Sequence, residues 1–191
     1  MRVITGSARG RKLAKPGKAD LRPTSDMVKE AIFNIIQFDI DGKRVLDLFA
    51  GTGQLGIEAA SRGASSVTFV DENKEAAKLI KTNLDRCCLS GKIISADSMS
   101  FLNNCGQFDL IFIDPPYEGG LAVRSVEKIF KFDILSESGI IICETGRETE
   151  LLSAEAPYPA GKEYIYGKTK VTIFYGGQYG LNENSHISGK L

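Results

Sequence analysis

The chain has 191 residues, 42% apolar and 25% charged, which suits one globular α/β domain with a small appendage and excludes wholesale disorder. Its longest apolar stretches, 110–113 and 140–143, are strand-length and exclude a membrane-spanning helix. The net charge is zero, yet residues 1–23 hold seven basic residues against the single acid Asp20, so a segment of +6 precedes a body of −6. That asymmetry points to a nucleic-acid or membrane-surface contact, or simply to a solvated basic loop.

In chain order, residues 2–5 read as a short strand, followed by a Gly- and Lys-rich loop with Lys12-Leu13 as its return. Thr24-Ser25-Asp26 is a helix-start signal, and Val28, Ala31, Ile32, Ile35 and Ile36 follow helical spacing up to Asp41-Gly42. From residue 44 the pattern changes. RVLDLFA is a buried strand, GTGQLG a glycine turn, 55–62 a helix stopped by Gly63, and SVTFVD a second strand. Residues 73–89 form a long amphipathic helix, KIISAD a third strand and 98–104 a short helix. FDLIFID is a fourth strand, 121–132 a helix, GIIICET a fifth strand, and 164–166 with 170–175 two last strands joined through Gly167-Lys168. Four successive strand–helix alternations imply parallel strands, right-handed crossovers and helices on both faces. The divisions expected are a basic hairpin or arm (1–23), a main domain (24–175) and a polar tail (176–191).

Cys87, Cys88, Cys105 and Cys143 contain no CxxC pair, and no zinc or other metal site is visible. Without an apolar leader at the N-terminus, reduced thiols in a cytoplasm are expected. The one histidine, His186, lies in the polar tail, which argues against a Ser–His or Cys–His nucleophile.

Gly51-Thr52-Gly53-Gln54-Leu55-Gly56 is a GxGxxG turn between a strand and a helix, and Asp71 ends the next strand twenty residues beyond Gly51. Such a turn lets a nucleoside approach the backbone, and the acid grips a ribose diol. Asp47, just before the turn, would repel a pyrophosphate. It suits a ligand with an ammonium and a sulfonium, such as S-adenosyl-L-methionine. Asp97-Ser98, ending the third strand, can bond an adenine ring, and Asp97 can equally cap the following helix.

Asp114-Pro115-Pro116-Tyr117 lies at the carboxyl end of the fourth strand, where open α/β sheets bind ligands. The two prolines fix φ and remove two donors, leaving outward carbonyl acceptors with little freedom. An Asp and a proline-linked carbonyl can take both N–H bonds of an exocyclic base amine. The lone pair then localises for in-line attack on a methyl group, by position and electrostatics alone. Tyr117 can stack on the base for about 1–3 kcal/mol. A plain proline-rich strand end is the bland alternative.

DLFAGTG, FVDEN, AD and DPPY, in this order, resemble a class I S-adenosylmethionine-dependent amino-methyltransferase. ITGSARGRKL, LRPTSDMVKEAIFNII and RVLDLFAGTGQLGIEAASRGA resemble the RsmD family of bacterial ribosomal RNA methyltransferases. The likeness is strong to about residue 120 and weaker to about 175. It implies a Rossmann-like α/β fold with a seven-stranded, mostly parallel sheet, and methylation of a guanine N2 in small-subunit (16S) ribosomal RNA. It implies that Asp47, Phe49, Gly51 and Gly53 hold the methionine side of the cofactor, Asp71 and Glu72 the ribose, and Asp97 and Ser98 the adenine. Asp114 and Pro115 would bind the target amine, with Pro116 and Tyr117 beside the base. Arg2, Arg9, Arg11, Lys12 and Arg22 would bind RNA phosphates. The implied partner is ribosomal RNA within a small-subunit particle, with a monomer as default and no membrane. Met27 and Gln54 depart from the family pattern, which often has a basic and a small residue there. The same chemistry on adenine N6 or a glutamine side chain, an NAD-dependent oxidoreductase on the literal GxGxxG, and a non-catalytic RNA-binding assembly factor remain alternatives.

Overall fold

The computed structural model describes residues 1–15, 26–116, 119–151 and 161–177. Its elements are α1 (Asp26–Ile35), β1 (Arg44–Leu48), α2 (Gln54–Ser61), β2 (Ser66–Asp71), α3 (Lys74–Cys87), β3 (Lys92–Ser95), α4 (Ser98–Phe101), β4 (Phe108–Ile113), α5 (Leu121–Lys131), β5 (Leu135–Gly146), β6 (Lys162–Tyr166) and β7 (Thr169–Tyr175). One sheet of seven strands runs in the order β3-β2-β1-β4-β5-β7-β6. β1 to β5 are parallel, and β7 is antiparallel to both its neighbours. This is the Rossmann-like, mostly parallel α/β fold that the alternating pattern implies.

The central strands are apolar on both faces because helices cover both. Val45, Phe112, Ile142 and Ile173 meet α1, α2 and α3, with Phe33 of α1 5.6 Å from the Phe112 ring. Leu46, Leu48, Ile111 and Ile141 meet α5 through Val126 and Ile129. At the amino ends of β1 and β4, Arg44 is bidentate to Asp109 (2.8 and 3.0 Å), and its own backbone N–H donates to the same carboxylate.

Three elements differ from the sequence reading. β5 starts at Leu135, not Gly139, because Leu135 pairs with Phe108 and the register then shifts so that Leu110 meets Ile140. α4 stops at Phe101, and the chain to 104 continues as turns whose bonds span three residues. The expected strand at 2–5 is reduced to a single antiparallel bridge, Arg2 to Lys12. The backbone N–H groups of Ile4 and Thr5 turn away from that pairing and donate to Glu58 of α2, at 2.7 and 3.0 Å.

Residues 1–15 are thus a hairpin docked on the helical layer rather than a free arm. Val3, Ala8 and Leu13 are buried in the core on that face. The Ser7 N–H donates to the Ser61 carbonyl (2.8 Å), and the Ser61 hydroxyl accepts from Ala8 N–H and donates to the Thr5 carbonyl. Glu58 also takes Lys29 of α1 (3.2 Å, both side chains fully buried) and Arg62 (2.9 Å). Lys29 in turn donates to the Arg2 carbonyl at 2.8 Å. The last turn of α2 therefore anchors the hairpin tip with backbone and charged bonds together. The helix-capping expectation at Thr24-Ser25 lies outside the described residues, as does the tail beyond Gly177.

Candidate active site

Parallel strands bring their carboxyl ends to one edge of the sheet. Register places Leu48 of β1 between Val70 of β2 and Ile113 of β4, so the loops after these strands begin side by side. The order reverses between β1 and β4, the switch point at which open sheets form a ligand crevice.

The loop after β1 bends at once. Phe49 adopts a left-handed φ of 66°, a conformation costly for a residue with a Cβ, and Gly51 and Gly53 follow at 53° and 75°. The N–H of Ala50 donates to the Val70 carbonyl and that of Gly53 to the Ala50 carbonyl, which fixes the turn. Asp71 ties it sideways. One of its carboxylate oxygens accepts the Gly51 N–H at 2.8 Å and the other accepts the Asn73 N–H at 2.9 Å. A Cβ on Gly51 would meet only the Phe49 carbonyl, 4.0 Å away, so one side of the turn is open. A Cβ on Gly53 would press Ile80 of α3 at 3.1 Å, so the other side is closed by packing.

Asp47 lies beneath this turn, 2% exposed, and accepts the Gly56 N–H at 2.8 Å. Burial pushes its carboxyl up to about 8, partly offset by the Gly56 bond, and the carboxylates of Asp114 and Asp71 push it further. Asp47, Asp71 and Asp114 therefore share one electrostatic environment at the ends of three adjacent strands. A cationic ligand there relieves mutual repulsion, whereas a pyrophosphate adds to it. The donor set fits S-adenosylmethionine: a carboxylate for a ribose diol at Asp71, an open backbone turn, and acidic surroundings for an ammonium and a sulfonium.

Asp114 is half-buried directly after Ile113, Pro115 is buried and Pro116 exposed. Tyr117 lies outside the described residues. Cys143, the β5 neighbour of Ile113, is fully buried, and burial with the nearby Asp114 and Glu144 holds its thiol far above the ordinary range. It is no nucleophile. Asp97 caps α4, accepting the Ser100 N–H (2.8 Å) and hydroxyl (2.7 Å), and these bonds hold its carboxyl below the usual range. Ser98 is buried beside it, while Glu72 is exposed just past β2.

Of the basic residues, Arg2, Arg9, Arg11 and Lys12 are exposed on the docked hairpin, and Arg22 lies outside the described residues. Sequence reasoning missed the residues beneath the hairpin. Lys29 sits on the apolar stripe of α1 with Val28, Ile32 and Phe33, and Glu58 sits in the small, apolar run of α2. A charge on an apolar face was the available signal.

Comparison with known proteins addresses the family and the fold. The family model described as "Conserved hypothetical protein 95" matches residues 1–175. The chain belongs to this family. It is 39% identical over 180 residues to the "Putative rRNA methyltransferase YlbH" of Bacillus subtilis, covering 91% of this chain and 98% of that one. It is 37% identical over 161 residues to the ribosomal RNA small subunit methyltransferase D of Haemophilus influenzae, covering 81% and 83%. Among solved structures it is similar to "Putative methyltransferase yhhF from Escherichia coli", with a TM-score of 0.83, 30% identity and coverage of 93% and 98%. A Thermus thermophilus 16S rRNA N2 G1207 methyltransferase in complex with AdoMet and guanosine shares the fold, with a TM-score of 0.69 at 22% identity over 84% of this chain and 44% of that one. The protein is thus a member of the RsmD family of methyltransferases.

Proposed function

We propose that the protein transfers a methyl group from S-adenosylmethionine to the exocyclic N2 of a guanine in small-subunit ribosomal RNA. The observation that carries this is the placement of Asp114-Pro115 at the end of β4, next to the strand whose glycine turn is tied to Asp71. Asp71 and Glu72 hold the ribose, Asp97 and Ser98 flank the adenine, and Asp47, Phe49, Gly51 and Gly53 form the methionine side. When bound, the cofactor supplies an electrophilic methyl group on sulfur.

The protein's own part is positional. Asp114 and the Pro115 carbonyl accept the two N–H bonds of the guanine amine. They draw its nitrogen out of conjugation, so its lone pair faces the methyl carbon in line. Asp114 is also the nearby acceptor for the proton that the nitrogen gives up after transfer. Pro116 and Tyr117 border the base. The base leaves its stack to reach this edge, at a few kcal/mol, and phosphate contacts by Arg2, Arg9, Arg11, Lys12 and Arg22 offset that cost. The partner is ribosomal RNA in a small-subunit particle, met by a monomer in the cytoplasm. No helix among the described residues is long and apolar enough to cross a membrane.

The test is incubation with methyl-labelled S-adenosylmethionine and small ribosomal subunits from cells lacking the enzyme, followed by nucleoside analysis. N2-methylguanosine is expected, and its loss in Asp114→Ala with cofactor binding retained. Label in N6-methyladenosine or in glutamine overturns the acceptor assignment, and a fully active Asp114→Ala protein overturns the role of the aspartate.

A further inference from the structure

Asn83 of α3 is a fully buried polar side chain with no place in the chemistry above. Its carbonyl oxygen accepts the Ala14 N–H at 2.6 Å. Its amide nitrogen donates to the Thr52 carbonyl at 3.0 Å and to the Ala14 carbonyl at 3.4 Å. Thr52 is the middle of the glycine turn, and Ala14 closes the basic hairpin between Lys12 and Lys15. One amide therefore holds the elements on which two different ligands act. The same face of α3 carries Ile80, packed under Gly53, and α3 itself starts just after Asp71, the acid bonded to Gly51.

We propose that Asn83 is a positioning residue that couples the cofactor turn to the basic hairpin. Ordering the turn around a nucleoside ligand fixes the Thr52 carbonyl, and through Asn83 it fixes the hairpin. Binding of a polyanion to the hairpin strengthens cofactor binding in return, since such coupling is reciprocal. No ligand-to-ligand contact is needed. The hairpin runs from Ala14 and Met1 beside Thr52 to a tip at Ser61, the far end of α2. A helix of eight residues spans about 12 Å, so the tip stands clear of the cofactor itself. The inference rests on the cofactor and RNA readings above.

Amide hydrogen exchange tests it with S-adenosylhomocysteine as the probe. In the wild-type protein, saturating ligand slows exchange at the glycine turn. It also slows the hairpin amides of Val3, Gly10 and Leu13, which are bonded within the hairpin, by about fivefold. In Asn83→Ala the turn is still protected, but the ligand changes hairpin exchange by a factor of about one. A purely structural role for Asn83 would raise hairpin exchange with and without ligand and leave their ratio intact. Unchanged hairpin exchange in the wild-type protein with a protected turn overturns the coupling, and so does an undiminished ratio in Asn83→Ala. The wild-type arm decides the matter even if the variant does not fold.

Poly(U), which has no guanine to enter the acceptor site, supplies the second arm. Its Kd should fall about fivefold with S-adenosylhomocysteine in the wild type and not in Asn83→Ala. Poly(U) that binds equally well with and without ligand overturns the reciprocal half. Failure of the underlying readings is distinct: an unprotected glycine turn removes the cofactor site, and poly(U) that never binds removes the hairpin as an RNA surface.

Discussion

Replacing Asp47 by Asn isolates the electrostatics of the site. Asn is nearly isosteric and keeps an oxygen for the Gly56 N–H, so the packing and the turn survive. What disappears is a carboxyl whose folded-state pKa is raised from an ordinary 3.8 to about 8. A raised acid binds a proton in the folded state that the unfolded chain has released. Its contribution to stability is thus complete below pH 4 and is lost as pH rises toward 8, at up to about 1.4 kcal/mol per pH unit. Between pH 5 and pH 7 the wild-type protein without ligand should lose up to about 3 kcal/mol from this group, roughly 6–12 °C in Tm for a domain of this size. Asp47→Asn should not show that loss, and should be the more stable protein at pH 8. The assay is thermal unfolding of both proteins from pH 4 to pH 9, read as the wild-type minus variant difference so that other titrating groups cancel. The variant should also bind S-adenosylmethionine more weakly, because a bound cation can no longer draw the Asp47 carboxyl into its charged form. A difference in Tm that stays flat across this pH range refutes the raised pKa of the buried Asp47 carboxyl.

Asp71→Ala removes the acceptor of both the Gly51 and Asn73 N–H groups, and S-adenosylmethionine affinity by calorimetry should fall at least about tenfold, the loss of one charge-assisted bond. In Gly6→Ala the new Cβ would fall 1.8 Å from the Ser61 carbonyl oxygen at a backbone φ of +85°, so the hairpin tip must lift. RNA binding by filter retention should weaken while cofactor affinity changes little. Glu58→Ala leaves Lys29 buried without its carboxylate and should cost about 3–5 kcal/mol in urea unfolding. RNA binding by the wild-type protein should weaken steeply between 50 and 200 mM salt, with a slope set by the exposed hairpin cations.

The sheet was legible because its central parallel strands, buried on both faces, read as nearly continuous apolar runs with a turn signal after each. Asp47, Gly51, Asp71 and Asp114 were legible because their place at strand ends follows from those runs. The apolar pattern starts β5 four residues late, since Leu135 joins it only through a register shift with β4 that no local pattern encodes. Glu58, Ser61 and Asn83 were not singled out. Each is polar within a helix, and each bonds backbone groups of the hairpin 53 to 69 residues away in sequence. The charge of the basic segment says nothing of Val3, Ala8 and Leu13 entering the core.

The order of strands also decides what meets what. Neighbouring strands lie about 4.8 Å apart, so the ends of β2 and β4 are separated by two steps, roughly 10 Å. A ligand anchored by its ribose at Asp71 reaches Asp114 only by extending an aliphatic arm across the glycine turn of β1. A nucleoside carrying an amino-acid arm has that length and polarity, and its reactive carbon then falls at the switch point between β1 and β4. With the donor lying across β2 and β1, the acceptor would meet the edge on the β4 side, where Asp114 stands. Three carboxylates at one edge, one of them buried, would be a liability for stability alone: burial first, and then Asp114 and Asp71, raise the pKa of Asp47. Their retention makes physical sense for a ligand that arrives with positive charge and leaves, after giving up its methyl, with less of it. On the proposed reading, loss of the sulfonium charge removes one of the attractions that would hold the ligand, so an acidic edge that binds the donor would also favour release of the spent product.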